Sequence, residues 1–282
     1  MKSLACLASL CLFSVPAFAG EGHTLFNPTP DDQLRAMTTE RPSKTDSPFS
    51  LDAGHVQIET NLFAYTRNDD CIGGVCTDTL QRYFGGATNL RIGLLDNTDL
   101  QIISDLYREI HVDDETAGVS SERQGFGDTQ LRLKVNLLGN DPMSKFSLGV
   151  IPYVKLPTNQ DDLGNDEYEG GFGIPFNINF AGGWSFGGMT QFNAISQADG
   201  SGYDPAYANS VIVGKSLTDK LGVYAEFYTY KADQDGAKWL NTADFGTVYS
   251  VNDNFKIDAN LHLGVTDAAD DTSFFVGTAY RF

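Results

Sequence analysis

Residues 168 to 180, Tyr168-Glu169-Gly170-Gly171-Phe172-Gly173-Ile174-Pro175-Phe176-Asn177-Ile178-Asn179-Phe180, divide an extended chain into two unlike faces. Tyr168, Phe172, Ile174, Phe176, Ile178 and Phe180 occupy one face, and Glu169, Gly171, Gly173, Asn177 and Asn179 the other. Side chains alternate across a strand with a period of two, so this run reads as a strand with one very apolar face. The pattern recurs on either side. Leu131, Leu133, Val135 and Leu137 alternate with Gln130, Arg132, Lys134 and Asn136, and Ile257, Ala259, Leu261 and Leu263 alternate with Lys256, Asp258, Asn260 and His262.

A soluble sandwich shows the same alternation, so the connections decide the environment. Short turns are expected at residues 95–98, 139–142, 181–183, 217–220 and 251–254, and longer loops near 67–79, 112–125, 157–167, 197–205, 232–238 and 266–271. Short and long connections alternate strictly and join twelve strands. An even strand number with short turns at one end and long loops at the other is the pattern of an up-and-down, antiparallel transmembrane β-barrel of the bacterial outer membrane. Both ends of the barrel segment then fall on the short-turn, periplasmic side. Phe274, Val276, Thr278, Tyr280 and Phe282 alternate to the last residue, which places Tyr280 and Phe282 in the periplasmic aromatic girdle and makes this strand the candidate signal for the barrel assembly machinery.

Composition agrees with a packed, exported chain. Of 282 residues, 41% are hydrophobic and 20% charged, with 29 glycines and 19 phenylalanines. That excludes both a disordered chain and a polytopic helical membrane protein. The formal charge of −18 repels phosphates and excludes nucleic acid as a partner. The expected surroundings are instead a lipid bilayer and lipopolysaccharide.

Residues 1–19 read as a secretory signal peptide: Lys2 precedes the apolar run Ser3 to Val15, and Ala17-Phe18-Ala19 is a small-x-small cleavage site. Residues 20–52 form a proline-rich leader without apolar periodicity, and residues 53–282 carry the barrel. Pro42 and Pro48 bracket the charged groups Lys44 and Asp46, and Arg41 precedes them, making a stiff segment that either folds back into the barrel as a plug or trails in the periplasm. Cys71 and Cys76, separated by Ile-Gly-Gly-Val, suit a disulfide that staples a local loop; no second Cys or His pair stands near them for a metal.

With lipid on the apolar side, strand parity assigns Glu59, Arg91, Asp105, Glu109, Asp128, Arg132, Lys134, Lys155, Glu226, Asp244, Lys256, Asp258, His262 and Arg281 to the lumen. Mixed signs favour a structural ion-pair network over a substrate-binding role. Parity also turns Phe63, Tyr65, Tyr83, Tyr107, Tyr153, Tyr224, Tyr228 and Tyr230 inward, where rings with a polar tip could line a path for an apolar or aromatic solute. Within the long connections, windows 68–78, 112–122, 159–169, 199–204, 233–235 and 267–271 hold 19 of the chain's 37 Asp and Glu and no Lys or Arg, a solvated acidic rim without the ordered spacing of a calcium loop. No catalytic motif accompanies the four scattered histidines, His111 included, and no cofactor is expected.

The run Glu40-Arg41-Pro42-Ser43-Lys44-Thr45-Asp46-Ser47-Pro48-Phe49, followed by Ala53-Gly54-His55-Val56-Gln57-Ile58-Glu59, resembles the start of outer-membrane transporter-like proteins of the meta-pathway phenol degradation family. There an Arg-Pro-x-x-Thr-Asp/Glu-Ser-Pro motif, here Arg41, Pro42, Thr45, Asp46, Ser47 and Pro48, precedes a Gly-His/Tyr-x-Gln-x-Glu strand. The resemblance implies passage of hydrophobic or aromatic solutes; the Cys71 to Cys76 loop is not part of it. The expected function is therefore passive diffusion of small solutes through a non-enzymatic barrel. The competing expectation is a structural or interaction barrel with a filled lumen and acidic outer loops.

Overall fold

The computed structural model describes residues 22–72, 75–114, 118–197 and 200–282; the signal-peptide reading of residues 1–19 lies outside them. The strands are β1 (Val56–Ile72), β2 (Val75–Tyr83), β3 (Gly86–Leu95), β4 (Thr98–Ser104), β5 (Arg108–Asp114), β6 (Val119–Gly125), β7 (Thr129–Leu138), β8 (Phe146–Leu156), β9 (Glu169–Phe180), β10 (Trp184–Ser196), β11 (Tyr203–Ser216), β12 (Leu221–Ala232), β13 (Leu240–Asn252), β14 (Phe255–Gly264) and β15 (Thr272–Arg281). All pairings are antiparallel, and β1 closes the sheet on β15 from Gln57↔Arg281 to Arg67↔Thr272. The pairs β2 with β3, β4 with β5, and β6 with β7 each continue one wall strand across an interruption, so the wall is a closed barrel of twelve strands. Closure pairs the backbone polar groups around the ring, which a bilayer requires because it offers none of its own.

The interior and exterior are inverted relative to a soluble protein. Phe172, Phe180, Trp184, Phe192, Val211, Phe227, Phe245, Ile257 and Phe274 are exposed, whereas Gln57, Glu59, Arg91, Asp99, Gln101, Lys134, Asp244 and Asp258 are buried. Apolar groups belong outside when the outside is lipid.

The loops expected at 67–79 and 112–125 are mostly strand. The β1–β2 hairpin is paired up to Ile72↔Val75 and the β5–β6 hairpin up to Asp114↔Val119. Polar residues there conceal strands because neither face of the hairpins needs to be apolar above the bilayer. Cys71 lies opposite Cys76 in the β1–β2 ladder, but their side chains fall outside the described residues.

Strand parity fails at two places. A bulge at Leu62 shifts register between Asn61 and Phe63, so Gln57, Glu59 and Asn61 face inward below it but Ala64 and Thr66 do so above. Phe63 and Tyr65 therefore turn outward, contrary to the sequence reading, and the Phe63 ring lies 5.9 Å from the exposed ring of Phe84. The interruption at 105–107 does the same between β4 and β5. Arg108 turns in toward Gln81 and Tyr83, leaving Tyr107 beside Phe84 and Glu109 paired with exposed Arg82 on the other face. Tyr107 and Glu109 are thus corrected from lumen to exterior.

A candidate functional site where the leader threads the lumen

Residues 22–36 carry a short 3-10 turn, Asp31–Gln33, and a bridge from Thr24 to Leu95 and lie mostly exposed by the short-turn end of the barrel, whereas residues 37–55 are mostly buried in the lumen. An extended segment buried without a strand partner leaves its backbone groups to be satisfied by side chains. The inward face of the wall supplies them. Gln57, Asn136 and Asn260 donate their amide hydrogens to the carbonyls of Thr38, Pro48 and Pro42, at 2.8, 2.8 and 2.9 Å. Arg91, Lys256 and Arg281 donate to those of Phe49, Met37 and Arg35, at 3.0, 2.6 and 2.9 Å. In the other direction, Glu59 accepts from the Glu40 amide, Asp99 from the Leu51 amide, and Glu226 from the amides of Lys44 and Thr45.

Charged leader side chains find opposite charges on the wall. Arg41 Nη2 lies 2.7 Å from Asp258 Oδ1, and its Nε donates to Oδ2 at 3.1 Å. Asp46 accepts twice from Arg132 Nη1, at 2.9 and 3.1 Å, and Lys44 lies 3.2 Å from Asp244. Burial pushes the Lys44 ammonium below its ordinary pKa, against the pull of Asp244 and Glu226. Glu40 pairs with Lys134 and with Arg91, whose guanidinium also meets Glu59 and Asp99 at 3.3 and 2.8 Å. Arg91 and Lys134 are completely buried, so this cluster depends on its pairing.

The leader motif found in the sequence thus enters the lumen as a unit. Besides Arg41 and Asp46, Thr45 bonds Glu226 and Ser210, the Ser47 amide donates to Glu40, and the carbonyls of Pro42 and Pro48 are held as described. The candidate lumen residues divide. Arg132 and Asp258 hold the leader; Tyr228 lies under the Lys44 ammonium at 5.1 Å and Tyr153 under the Arg132 guanidinium at 5.8 Å. Tyr224 packs against Gly246 with its hydroxyl buried and without a partner, and Tyr230 lies further along β12 toward the long-loop rim. His262 faces Phe275, ring centres 4.9 Å apart. At the barrel seam, Phe282 donates its amide to Val56, and its exposed ring meets that of Tyr280 at 4.7 Å.

Sequence reading set Asn136 and Asn260 on the polar face of their strands and Gln57 in the first-strand motif without giving them a role, and it did not single out Asn89, although each occupies an inward position of its strand. Their signal was parity without charge. It also passed over Gly277 on β15, where a Cβ would fall on the Arg41 guanidinium and 2.6 Å from the Thr60 carbonyl oxygen. Glycine there gives Arg41 its access to Asp258.

A family model described as "Putative MetA-pathway of phenol degradation" matches residues 39–282. Among solved structures, an outer membrane channel from Pseudomonas putida F1 is similar with a TM-score of 0.64 at 11% identity, over 86% of this chain and 99% of that one. The transport unit of the autotransporter AIDA-I from Escherichia coli is similar with a TM-score of 0.56 at 10% identity, over 87% of this chain and 93% of that one. At such identities the likeness is one of fold. No curated protein matches the sequence.

Proposed function

Since the chain belongs to the MetA-pathway phenol degradation family and forms an outer-membrane barrel, we propose that it passes small, uncharged, hydrophobic or aromatic solutes by passive diffusion along a path narrowed by its own leader. The observation that carries this reading is the pairing of charges. Arg41 with Asp258, Lys44 with Asp244, and Asp46 with Arg132 neutralise one another across the lumen, while Tyr153 and Tyr228 present rings beside them. A path of paired charges and tyrosine faces offers weak, repeated contacts to an uncharged ring, and weak contacts permit release.

The test is flux of benzyl alcohol into proteoliposomes containing the full mature chain, with folding verified by different gel migration of unboiled and boiled protein. Flux above that of empty vesicles is expected, and the combined Tyr224→Ala, Tyr228→Ala and Tyr230→Ala substitution should change its rate. Flux equal to empty vesicles with a folded barrel favours the second reading, a structural or interaction barrel. That reading draws on the complete burial of Arg91, Lys134, Glu59 and Asp99 around the leader.

A further inference from the structure

The outer face of the wall carries a patch of cations and rings that lies away from the solute path. On β12, Glu226 is buried and Phe227 exposed, so Lys231, which shares the parity of Phe227, points away from the lumen. Tyr207 stands opposite Lys231 on β11 and is exposed on the same face. The exposed ring of Trp239 lies 5.7 Å from the Lys231 ammonium, and exposed Lys238 precedes that tryptophan in the chain. The level of the patch follows from the strand. Leu221 pairs with Tyr249, an exposed ring at the short-turn end, and Lys231 comes ten residues later on the same strand. At about 3.3 Å per residue and a tilt near 40°, that run rises about 25 Å, the height of a barrel's apolar band. Lys231 therefore stands at the headgroups of the outer leaflet, where tyrosine and tryptophan also settle.

The charges of the patch are unlike their surroundings. Elsewhere at the long-loop end, Arg67 is paired with Asp69 at 3.0 Å and Arg82 with Glu109 at 2.8 Å. Among the described residues no carboxylate pairs with Lys231 or Lys238, although Asp233 and Asp235 stand exposed in the same connection. A cation at the edge of the hydrocarbon that lacks a protein counter-charge takes one from the headgroups. In the outer leaflet the headgroup is a phosphorylated sugar, which matches both halves of the patch: ammonium groups suit the phosphate, and amphipathic rings suit the sugar and the roots of the acyl chains. We propose that Lys231, Lys238, Tyr207 and Trp239 form a docking site for the phosphorylated headgroup of one lipopolysaccharide molecule. The site goes beyond solute passage and does not depend on it, because it lies on the opposite face of the wall from Glu226 and the leader.

The chain has two tryptophans, so Trp184→Phe leaves Trp239 as the sole reporter at the site. The experiment uses this full-length mature protein, folded in nonionic detergent, and follows its tryptophan emission during titration with bisphosphorylated lipid A. The same lipid stripped of phosphate, phosphatidylglycerol and inorganic phosphate are titrated in parallel. Lipid A should change the emission saturably and bind about thirtyfold more tightly than its dephosphorylated form, the factor expected from two lysines near an anionic headgroup. Lys231→Gln with Lys238→Gln should remove that advantage, and Lys231→Arg with Lys238→Arg should keep it. Should the glutamine variant not fold, raising salt from 0.1 M to 1 M must remove most of the advantage from the parent, since screening reaches exposed charges. Unmoved emission, equal binding with and without the lipid phosphates, or undiminished binding by the folded glutamine variant overturns the site. Equally tight phosphatidylglycerol would reduce it to a general anionic-lipid contact, and an equal response to inorganic phosphate to a free-anion site; either result overturns the assignment to lipopolysaccharide.

Discussion

Arg41 and Asp258, 217 positions apart in sequence, meet in the lumen through two parallel contacts, Nη2 to Oδ1 at 2.7 Å and Nε to Oδ2 at 3.1 Å. The pair joins a residue of the leader motif to the wall strand β14, and Arg41 also donates to Asn61 on β1. Two-pronged guanidinium to carboxylate contacts fix orientation as well as distance, so Arg41 sets where the leader lies across the barrel.

Arg41→Gln is expected to loosen the leader without unfolding the barrel. It strands the Asp258 carboxylate, a defect of about 3–5 kcal/mol for a buried pair, which the leader relieves by leaving and letting water in. Single-channel conductance should rise while heat-modifiable gel migration stays. Adding Asp258→Asn removes the stranded charge and should return conductance toward the parent value; an additive effect of the two changes would contradict the pairing.

Deleting residues 24–48 removes every partner that Glu40, Lys44 and Asp46 offer to the wall. Arg91 retains Glu59 and Asp99, but Lys134 loses Glu40 and Arg132 loses Asp46. Larger conductance is expected, with a lower temperature for loss of the folded gel band. Unchanged conductance in a folded barrel would argue that the leader does not limit the path.

Gly277→Ala tests the same contact from the wall side. The added methyl falls where the Arg41 guanidinium lies, against the backbone of β1, so Arg41 must withdraw from Asp258. Conductance should shift in the direction of Arg41→Gln although both charged residues remain. Parent-like conductance would show that Arg41 reaches Asp258 by another route.

How far the sequence was readable depends on what lay opposite each residue. On β14, Asp258, Asn260 and His262 kept strict alternation, and parity alone placed them inward. On β1 the same rule failed at Phe63, because the bulge at Leu62 depends on pairing with β15, which begins 210 residues later in the chain. The leader motif announced a stiff charged segment, but its alternatives stayed open because no local pattern states whether Asp46 will meet Arg132. Parity placed Asn260 inward but could not give it a task, since its amide matters only through the leader carbonyl of Pro42 that it holds.

For the disulfide, the ladder pairs Cys71 with Cys76 across the β1–β2 hairpin, which agrees with a bridge between neighbouring strands. We expect natively exported protein to show no alkylatable thiol before reduction and two after. The closed loop is short, so its contribution should be local and on the order of 2 kcal/mol. Two thiols without reductant would refute the bond.

The acidic rim should act on ions at long range. Acidic residues such as Asp161, Asp162, Asp166 and Glu167 lie exposed in the connection between β8 and β9, on the side of the barrel that carries the long loops. Interactions between exposed charges reach about 10 Å at 0.1 M salt and about 3 Å at 1 M, so the rim should enrich cations over the mouth in dilute solution and lose that influence in concentrated solution. Reversal potentials in asymmetric potassium chloride should therefore report a cation preference at low salt that fades on raising both sides toward 1 M. Replacing those four residues with Asn and Gln should weaken the preference at low salt and leave it unchanged at high salt, because screening has already removed their contribution. An anion preference, or a selectivity indifferent to ionic strength, would place control of ion passage with the paired charges around Arg41 and Asp46 instead of the rim.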